Sequence, residues 1–312
     1  RRVSHTRQTI DTGVIQPDSL RMDLDATFQA CRDLHNHMPA LLQQEVGFIK
    51  KHEIDLIIGD IPPACFEIAA RAAIPSVAIT NFTWDIIYQA YAIRHPGFVP
   101  LVEEMKRFYS KAMLALPLPY PCDMSVFPCR EAIPWISRVS TLTRNQARAV
   151  FGLPPTATIV LLSFGGLGLD QLPLQRLNEI TEFHFVTTAA SRQSRGNVQV
   201  LDVAQRRYDD LLRAVDVIVT KPGYGIVADV LAHQVPILYT DRGEFPEYPF
   251  LVQALNELAT ADFIPQDELL SGNIRSYLAP LLEKAPNWPP VSLNGAEAAA
   301  EKVLTLLDPS RG

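Results

Sequence analysis

Residues 216–239, DVIVTKPGYGIVADVLAHQVPILY, restrict the possible folds of this chain more than any other segment. An uninterrupted apolar run passes directly into a glycine-containing turn, which is followed by a helical pattern and a second apolar run. Continuous apolar runs are typical of strands that are buried on both faces of a parallel sheet. Strand–helix–strand units build such sheets, so this segment predicts a βαβ unit.

The same alternation occurs in two series along the chain. The first begins with IDLIIGD and continues through PPACFEIAARAA, PSVAIT and TWDIIYQAYAIR. It predicts two strands with their helices, and a further helix is predicted over residues 99–115. A helical pattern over residues 23–52 precedes this series, and Pro39 predicts either a kink or two helices there.

Residues 116–135 separate the two series and contain five prolines. A segment of this composition is not helical and favours a domain boundary. In the second series, strands are predicted at ATIVLLS, FHFVTT, NVQVLDV, DVIVT and PILYT, with closing helices around residues 250–258, 274–284 and 296–307. We therefore predict an α/β protein with a first domain over residues 1–135 and a second over residues 136–312.

Composition excludes several functional classes. The 312 residues carry a formal net charge of -6, whereas nucleic-acid binders normally present a basic face. No stretch approaches the roughly 20 apolar residues of a membrane helix. The four cysteines, Cys31, Cys65, Cys122 and Cys129, form no CxxC pair. This pattern favours reduced thiols in a cytoplasmic protein, and we expect no metal site at them.

The turn after DVIVT is a candidate phosphate-binding site. Unpaired N–H groups and the helix dipole attract anions to the start of a helix. Gly223, Tyr224 and Gly225 form this turn, and Lys221 adds a positive charge. The alternative is that the glycines only allow the chain to turn.

A second glycine turn follows the strand ATIVLLS, with Gly165, Gly166 and Gly168. It matches neither the dinucleotide nor the P-loop fingerprint. Two glycine turns at carboxyl ends of strands within one domain still favour a ligand site, because parallel sheets bind ligands beyond those ends.

Polar residues near these turns are candidate ligand contacts. Asp229 lies on the helix after Gly223, where a carboxylate can accept hydrogen bonds from two ribose hydroxyls. A loop after PILYT supplies Glu247 and Tyr248 among other polar groups. In the first domain, Asp60 and Asp85 each follow a predicted strand. The alternative for all of these residues is an ordinary solvated or buried structural role.

Together these stretches resemble glycosyltransferases of the GT-B fold, with a family-28-like donor half, through KPGYGIVADVLAHQVPILY. The resemblance implies two Rossmann-type domains that face a cleft, and it places the donor diphosphate at Gly223–Gly225. Asp229 takes the position of the ribose-binding Glu of that family. Glu247 and Tyr248 lie where the family contacts the donor sugar, but the usual Gln pair is absent.

IPSVAITNFTWDIIY, SFGG, KPGYGIVAD and DRGEFPEYPFL resemble the glycosyltransferase-like region of L-arabinokinases and its stand-alone bacterial relatives. Those relatives carry a loop with Gly and His on their first strand, and this chain opens at Arg1 on polar sequence. We therefore expect an incomplete first domain, with donor binding retained and sugar transfer weakened.

The resemblance implies transfer of a sugar from a nucleotide sugar, with UDP as the expected nucleotide, to an unknown acceptor hydroxyl. No metal or other cofactor is expected. Asp60 and Asp85 are the candidates for the base within this chain, beside a histidine upstream of it. Two alternatives stay open, namely a non-catalytic nucleotide-sugar-binding module and a UDP-sugar 2-epimerase.

Overall fold

The computed structural model describes residues 3–18, 20–164, 173–188, 194–203 and 205–307. The chain divides into two compact units. The first unit comprises Arg1–Ile15, Asp23–Pro134 and Gly295–Gly312, and the second comprises Gln16–Met22 and Trp135–Asn294. The C-terminal segment thus groups with the first unit, whereas the sequence division assigned it to the second domain.

The first unit contains a parallel three-stranded sheet in the order β1-β2-β3. Its strands are β1 (Ile57–Gly59), β2 (Ser76–Thr80) and β3 (Leu114–Pro117). Its helices are α1 (Leu24–Lys51), α2 (Ala64–Ala72), α3 (Trp84–Ala92), α4 (Phe98–Tyr109) and, at the end of the chain, α12 (Gly295–Leu307).

Strand β3 corrects the prediction of a helix over residues 99–115. Helix α4 ends at Tyr109, and the chain then pairs with β2 from Leu114 to Pro117. All four residues of β3 are buried. The apolar run LALP therefore gains more from burial beside β2 than from one further helical turn, and the proline falls on the last strand residue.

Helix α1 is continuous through Pro39, so the alternative of two separate helices is wrong. Asp23 caps its start by accepting a hydrogen bond from the Ala26 N–H at 2.9 Å. Met38, Leu42 and other apolar residues of one face pack against α2 and α4. This packing compensates for the backbone hydrogen bond that a proline removes.

The proline-rich segment packs on the first unit through its backbone and one aromatic side chain. The N–H of Ala115 donates to the carbonyl of Cys129 at 2.9 Å, and that of Glu131 donates to the carbonyl of Ala115 at 2.9 Å. Phe127 is buried against Phe66 and Tyr109, with ring centroids 6.0 and 5.4 Å away. The segment therefore covers the outer edge of β3, which would otherwise expose unpaired backbone groups.

The second unit contains a parallel six-stranded sheet in the order β6-β5-β4-β7-β8-β9. The strands are β4 (Thr158–Leu162), β5 (Phe183–Thr187), β6 (Val198–Val200), β7 (Val217–Thr220), β8 (Ile237–Tyr239) and β9 (Ala261–Phe263). The helices are α5 (Arg144–Phe151), α6 (Leu174–Asn178), α7 (Tyr208–Ala214), α8 (Tyr224–His233), α9 (Tyr248–Leu258), α10 (Gln266–Ser271) and α11 (Arg275–Glu283).

The five predicted strands of this unit and its predicted helices are confirmed. The short edge strand β9 was not predicted, because three residues are too few to show a periodic pattern. Strand β7 and all of β4 except Thr158 are buried, and Val160, Leu162, Val217 and Val219 belong to one apolar core. No helix among the described residues has both the length and the apolar character needed to cross a bilayer.

Candidate functional site

The strand order of the second unit locates its candidate site. Successive strands run outward from β4 to β6 on one side and from β7 to β9 on the other. Neighbouring strands β4 and β7, paired through Leu162 and Val219, therefore form the point where the winding direction reverses. Open parallel sheets bind ligands outside the carboxyl ends of the strands at this point.

The turn after β7 places the start of α8 at this point. Gly223 is the N-cap residue, with φ -144° and ψ 156°, and no side chain caps the helix. A Cβ atom added to Gly223 or Gly225 would meet no atom within 4 Å. Neither glycine is therefore required by close packing at its Cβ position, and helix starts favour anions.

Lys221 precedes this turn and is half-buried. Among the described residues, none forms a hydrogen bond or an ion pair with its ammonium group. The pKa of Lys221 is lowered to about 8, mainly by burial and also by the positive charge of Arg242, while Asp18 and Glu247 act in the opposite direction. A half-buried cation of this kind gains strongly from an anionic ligand.

Tyr224 is the first residue of α8 and stacks on Trp135, with ring centroids 5.1 Å apart and an interplanar angle of 22°. Its hydroxyl group is buried and has no hydrogen-bond partner among the described residues. Burial raises the pKa of Tyr224. The buried hydroxyl is therefore a neutral donor that a bound ligand could satisfy.

Asp229 lies further along α8 and is half-buried. One of its carboxylate oxygens accepts a hydrogen bond from the Ser137 hydroxyl at 2.7 Å. Burial raises the pKa of Asp229, and the hydrogen bond from Ser137 opposes that rise. The carboxylate has lone pairs beyond the one used by Ser137, so it can still accept hydrogen bonds from a ligand.

The polar residues of the loop after β8 are held by specific contacts and do not form a simple solvated cluster. Glu247 is 2% exposed and accepts a hydrogen bond from Arg242 Nη1 at 2.6 Å. The guanidinium group of Arg242 lies 3.9 Å from the centre of the Phe245 ring, and its Nε is buried with no hydrogen-bond partner in the described chain. Glu247 therefore orients Arg242, while burial raises the pKa of the adjacent Tyr248.

Two features of this region were missed by sequence reasoning. Arg242 is a second cation close enough to Lys221 to affect its charge. Leu20, from the N-terminal stretch without periodic signal, is 6% exposed and packs in the core of the second unit. Its carbonyl oxygen lies 3.6 Å from a Cβ position built on Gly243, where φ is +65°. Neither feature leaves a local pattern in the sequence.

The glycines after β4, namely Gly165, Gly166 and Gly168, lie outside the described residues. The last described positions before them include Ser163, whose Oγ accepts a hydrogen bond from the Tyr208 hydroxyl at 2.8 Å. Burial raises the pKa of Tyr208 to about 12.

The two base candidates of the first unit differ in accessibility. Asp60 follows β1 and is exposed, yet the surrounding protein partly desolvates it and raises its pKa, and the like charge of Asp11 adds to that rise. Asp85 lies in the first turn of α3 and is 1% exposed, and burial raises its pKa. Only Asp60 presents its carboxyl group at the surface.

Within the described part of the chain, no group of three or more His, Cys, Asp or Glu residues could hold a metal ion. The four cysteines form no disulfide.

Sequence comparison finds two curated relatives. The chain is 28% identical over 295 residues to the L-arabinokinase of Arabidopsis thaliana, an alignment that covers 93% of this chain and 28% of that protein. It is 22% identical over 304 residues to the uncharacterized glycosyltransferase MK0977 of Methanopyrus kandleri, covering 88% and 83%. The chain thus spans little more than a quarter of the L-arabinokinase. No protein-family profile matches it.

Structure comparison gives the fold. The calicheamicin glycosyltransferase CalG4 superimposes with a TM-score of 0.60 at 16% identity, over 91% of this chain and 81% of CalG4. MurG of Acinetobacter baumannii superimposes with a TM-score of 0.53 at 13% identity, over 87% and 79%. The glycosyltransferase VinC, solved with dTDP, reaches 0.50 at 16% identity, over 93% and 79%.

The chain has the GT-B fold. The fold class predicted from the sequence is therefore confirmed, and so is the resemblance to the L-arabinokinase region. The GT-B fold pairs two Rossmann-type domains, and both parallel sheets of this chain belong to that type.

Proposed function

We propose that this protein is a glycosyltransferase that moves a sugar from a nucleotide-sugar donor to an acceptor hydroxyl group. The observation that carries the proposal is the half-buried Lys221 next to the uncapped start of α8, at the winding reversal of the second sheet. This arrangement suits a diphosphate, which is the part that all nucleotide sugars share. The GT-B fold and the names of the structural neighbours support the same conclusion.

The donor diphosphate is proposed to bind the N–H groups at Gly223, Tyr224 and Gly225. Lys221 compensates its charge, and the buried Tyr224 hydroxyl gains a partner. The glycine turn with Gly165, Gly166 and Gly168 is proposed as a second phosphate contact, as the resemblance implies. This site follows the family-28-like pattern of the sequence.

Asp229 is proposed to bind the ribose, with UDP as the nucleotide. Its carboxylate lies on the helix whose start binds the diphosphate, which is the order of groups in a nucleotide. Arg242 and Tyr248 are proposed to contact the donor sugar, and Glu247 holds Arg242 in place through their 2.6 Å hydrogen bond. VinC was solved with dTDP, so titration with both UDP and dTDP is needed to decide between uracil and thymine.

The chemistry requires a base, an anomeric carbon and a leaving diphosphate. The acceptor oxygen forms a bond to the anomeric carbon while the bond from that carbon to the diphosphate oxygen breaks. Asp60 is proposed to take the acceptor proton, since its raised pKa makes it a better base than an ordinary carboxylate. Asp85 is too deeply buried to reach an acceptor. The start of α8 and Lys221 stabilise the departing diphosphate, so the proposal includes no metal or cofactor.

The cytoplasmic location expected from the sequence is part of this proposal.

Calorimetric titration with UDP, dTDP and ADP tests the donor site. We expect one nucleotide to bind the wild-type chain, and Lys221→Ala to weaken that binding about ten-fold, the loss of one charge-assisted contact. Lys284→Ala is the matched control, because Lys284 pairs with Asp262 beside the amino end of β9, away from the proposed site. Equal affinity of Lys221→Ala and wild type would contradict the proposal.

Incubation with UDP-sugars separates the proposed reaction from the two alternatives. A transferase releases UDP, an epimerase changes only the sugar, and a binding module does neither. Release of UDP that requires Asp60 and depends on an added alcohol is the expected result.

A further inference from the structure

Ile61 has an unusual backbone conformation, with φ at +81°. Among the described residues with positive φ, Ala73 and Gln234 follow the ends of α2 and α8, where left-handed backbone is common. Ile61 is instead β-branched, and left-handed backbone brings its Cβ atom close to the following carbonyl oxygen. It also precedes Pro62, and a residue before proline normally has an extended backbone. The conformation of Ile61 is therefore strained, and contacts elsewhere must hold it.

The hydroxyl group of Tyr109 holds the carbonyl group of Ile61. It donates a hydrogen bond to that carbonyl oxygen at 2.6 Å, and it accepts one from the backbone N–H of Trp84 at 3.1 Å. Tyr109 is the last residue of α4 and is fully buried, with its ring against Phe66 and Phe127. The hydroxyl group is therefore a fixed point that links the segments following β1 and β2.

The connection that contains Ile61 is short and closely packed. Strand β1 ends at Gly59 and α2 begins at Ala64, so residues 60–63 alone join them. A Cβ atom built on Gly59 would lie 3.0 Å from Cζ of Phe66, so the end of the strand lies directly against α2. Gly59 is buried and Asp60 is exposed. The direction in which the Asp60 side chain leaves the sheet thus depends on the turn at Ile61.

We propose that Ile61 and Tyr109 position the carboxyl group of Asp60, by holding the peptide that joins Asp60 to Ile61 in its strained orientation. The inference rests on the proposed function, in which Asp60 takes the proton of the acceptor, and it adds two positioning residues for that step. With negative φ, the Ile61 carbonyl group turns away from the Tyr109 hydroxyl group. The Asp60 carboxyl group then turns with its peptide and leaves the position that the structure gives it.

A pair of substitutions tests this coupling by rescue. Tyr109→Phe keeps the ring and removes the hydroxyl group, so Ile61 should relax to negative φ. Glycine adopts positive φ about as readily as negative φ. Adding Ile61→Gly to Tyr109→Phe should therefore restore the orientation of Asp60 in a large part of the molecules, although the hydroxyl group is still absent. A purely structural role of Tyr109 predicts no such rescue.

Titration of the Asp60 carboxyl group by carbon NMR, assigned with Asp60→Asn, reports its surroundings without any ligand. In the wild type, partial desolvation raises the pKa of Asp60, and the charge of Asp11 adds to that rise. Tyr109→Phe should lower this pKa towards the ordinary value of an aspartate, and the double variant should raise it again. Tyr91→Phe is the matched control and should leave the titration unchanged, since Tyr91 is an equally buried tyrosine of the same unit, on α3.

UDP release from the UDP-sugars, with methanol as the added alcohol, gives a second readout. Tyr109→Phe should lower kcat about ten-fold, because left-handed backbone disfavours a residue with a Cβ atom by about that factor. KM for the donor should stay unchanged, and the double variant should return to within about three-fold of the wild-type kcat. The acid limb of the pH profile should move to lower pH in Tyr109→Phe, since a base acts only when it is deprotonated.

A matched pair at position 61 keeps the inference testable should Tyr109→Phe fail to fold. Asn tolerates positive φ, whereas Thr is β-branched as Ile is. Both replace the apolar side chain by a polar one of similar size, so the loss of apolar contacts is shared. Ile61→Asn should melt at a higher temperature than Ile61→Thr and should keep the raised pKa of Asp60. Equal melting temperatures would show that Ile61 is not strained and would overturn the inference.

An Asp60 titration that Tyr109→Phe leaves unchanged, or a fall in its pKa that Ile61→Gly does not reverse, would also overturn it. Failure of the inference and failure of the proposed function give different results. UDP release that needs Asp60 but has the wild-type kcat in Tyr109→Phe refutes the positioning residues alone. Loss and rescue of the Asp60 titration, with no UDP release from the wild type, contradicts the transferase and leaves the fixed orientation of Asp60 supported.

Discussion

The candidate sites of the two units are formed by different parts of the chain. In the second unit, the centre of the candidate site is the backbone at the start of α8, where the winding of a six-stranded sheet reverses, and polar side chains such as Lys221 and Arg242 lie near it. In the first unit, polar side chains that are far apart in the chain are brought together, as Asp11 and Trp84 are by their hydrogen bond. A backbone site follows from a local strand–turn–helix pattern, while a side-chain site depends on tertiary packing. Substitutions at the turn before α8 and at the polar side chains next to it should therefore change nucleotide binding most, and substitutions in the first unit should change it least.

The largest expected effect comes from Gly223→Asp. An aspartate is a preferred N-cap residue, and the extended backbone at this position accepts any side chain. Stability should change by only a few tenths of a kcal/mol, because Gly is itself a tolerated N-cap. Nucleotide affinity should fall about 100-fold, since two like charges ~4 Å apart repel by ~4 kcal/mol near a protein surface. Gly223→Ser, which caps without charge, should lose much less affinity. Equal losses for both variants in calorimetry would show that the turn does not bind an anion.

Asp229→Ala should weaken nucleotide binding about ten-fold or more, because each hydrogen bond to a charged group contributes ~1.5–3 kcal/mol. Ser137→Ala is the control, since it removes the protein partner of Asp229 and leaves the carboxylate in place. Its affinity should stay within about three-fold of wild type, because a neutral donor is lost at a site that can rehydrate. Unchanged affinity in Asp229→Ala would exclude the ribose role.

The lowered pKa of Lys221 predicts that nucleotide affinity depends on pH. Its ammonium group is charged below its pKa of about 8, so nucleotide affinity should be highest near pH 7 and fall as the pH rises through 8. At pH 9 the loss should be at most about ten-fold, the value for one pKa unit. Lys221→Met should bind weakly with no such pH dependence, and a pH profile shared by both proteins would assign the titration to another group.

The lowered pKa of Lys221 also makes the stability of the fold depend on pH, and this stability rises with pH where nucleotide affinity falls. The unfolded chain keeps the Lys221 proton up to about 10.5 and the folded chain up to about 8, so burial of the charge destabilises the fold below pH 8. Lys221→Met should therefore stabilise the ligand-free protein at pH 7 by about 1–2 kcal/mol, a figure reduced for partial solvent exposure. Chemical denaturation at pH 7 and pH 10 checks this, and the advantage of the variant should shrink at the higher pH.

The smallest expected effect is that of Trp84→Phe on the donor site. The variant removes the indole donor to Asp11, which should reduce stability by about 0.5–1.5 kcal/mol, the net contribution of one hydrogen bond. Nucleotide affinity should stay unchanged, because α8 and Lys221 belong to the other unit. A loss of nucleotide affinity as large as that of Asp229→Ala would show that the two sites are not separate.

Much of the fold could be predicted from the sequence, because its apolar runs are long enough to show their period. The strands that contain Val160, Val219 and Leu238 are examples. Strands β3 and β9 were missed for opposite reasons. Leu114–Pro117 follows a helical pattern without interruption, and Ala261–Phe263 is too short. The phosphate site proposed at the Gly223 turn depends on backbone N–H groups, so a local pattern was enough to predict it.

Side-chain partners could not be predicted in the same way. Glu247 was predicted to contact the donor sugar, and the structure shows its carboxylate bound to Arg242. Asp85 and Asp60 both follow a strand, yet only Asp60 is exposed. Whether a carboxylate faces solvent or the core depends on which neighbouring elements cover it, and that information is spread over the whole chain.

The sequence by itself determined two parallel α/β series and the glycine turn between β7 and α8, since each depends on local periodicity and on glycine. Only the tertiary structure decided that Leu20 packs in the second unit, that Arg242 acts on Lys221, and that Asp11 lies next to Trp84. Trp84 and Asp11 are separated by 73 residues. Contacts of this kind form through burial and charge among distant segments, and a linear pattern does not encode them in any local window.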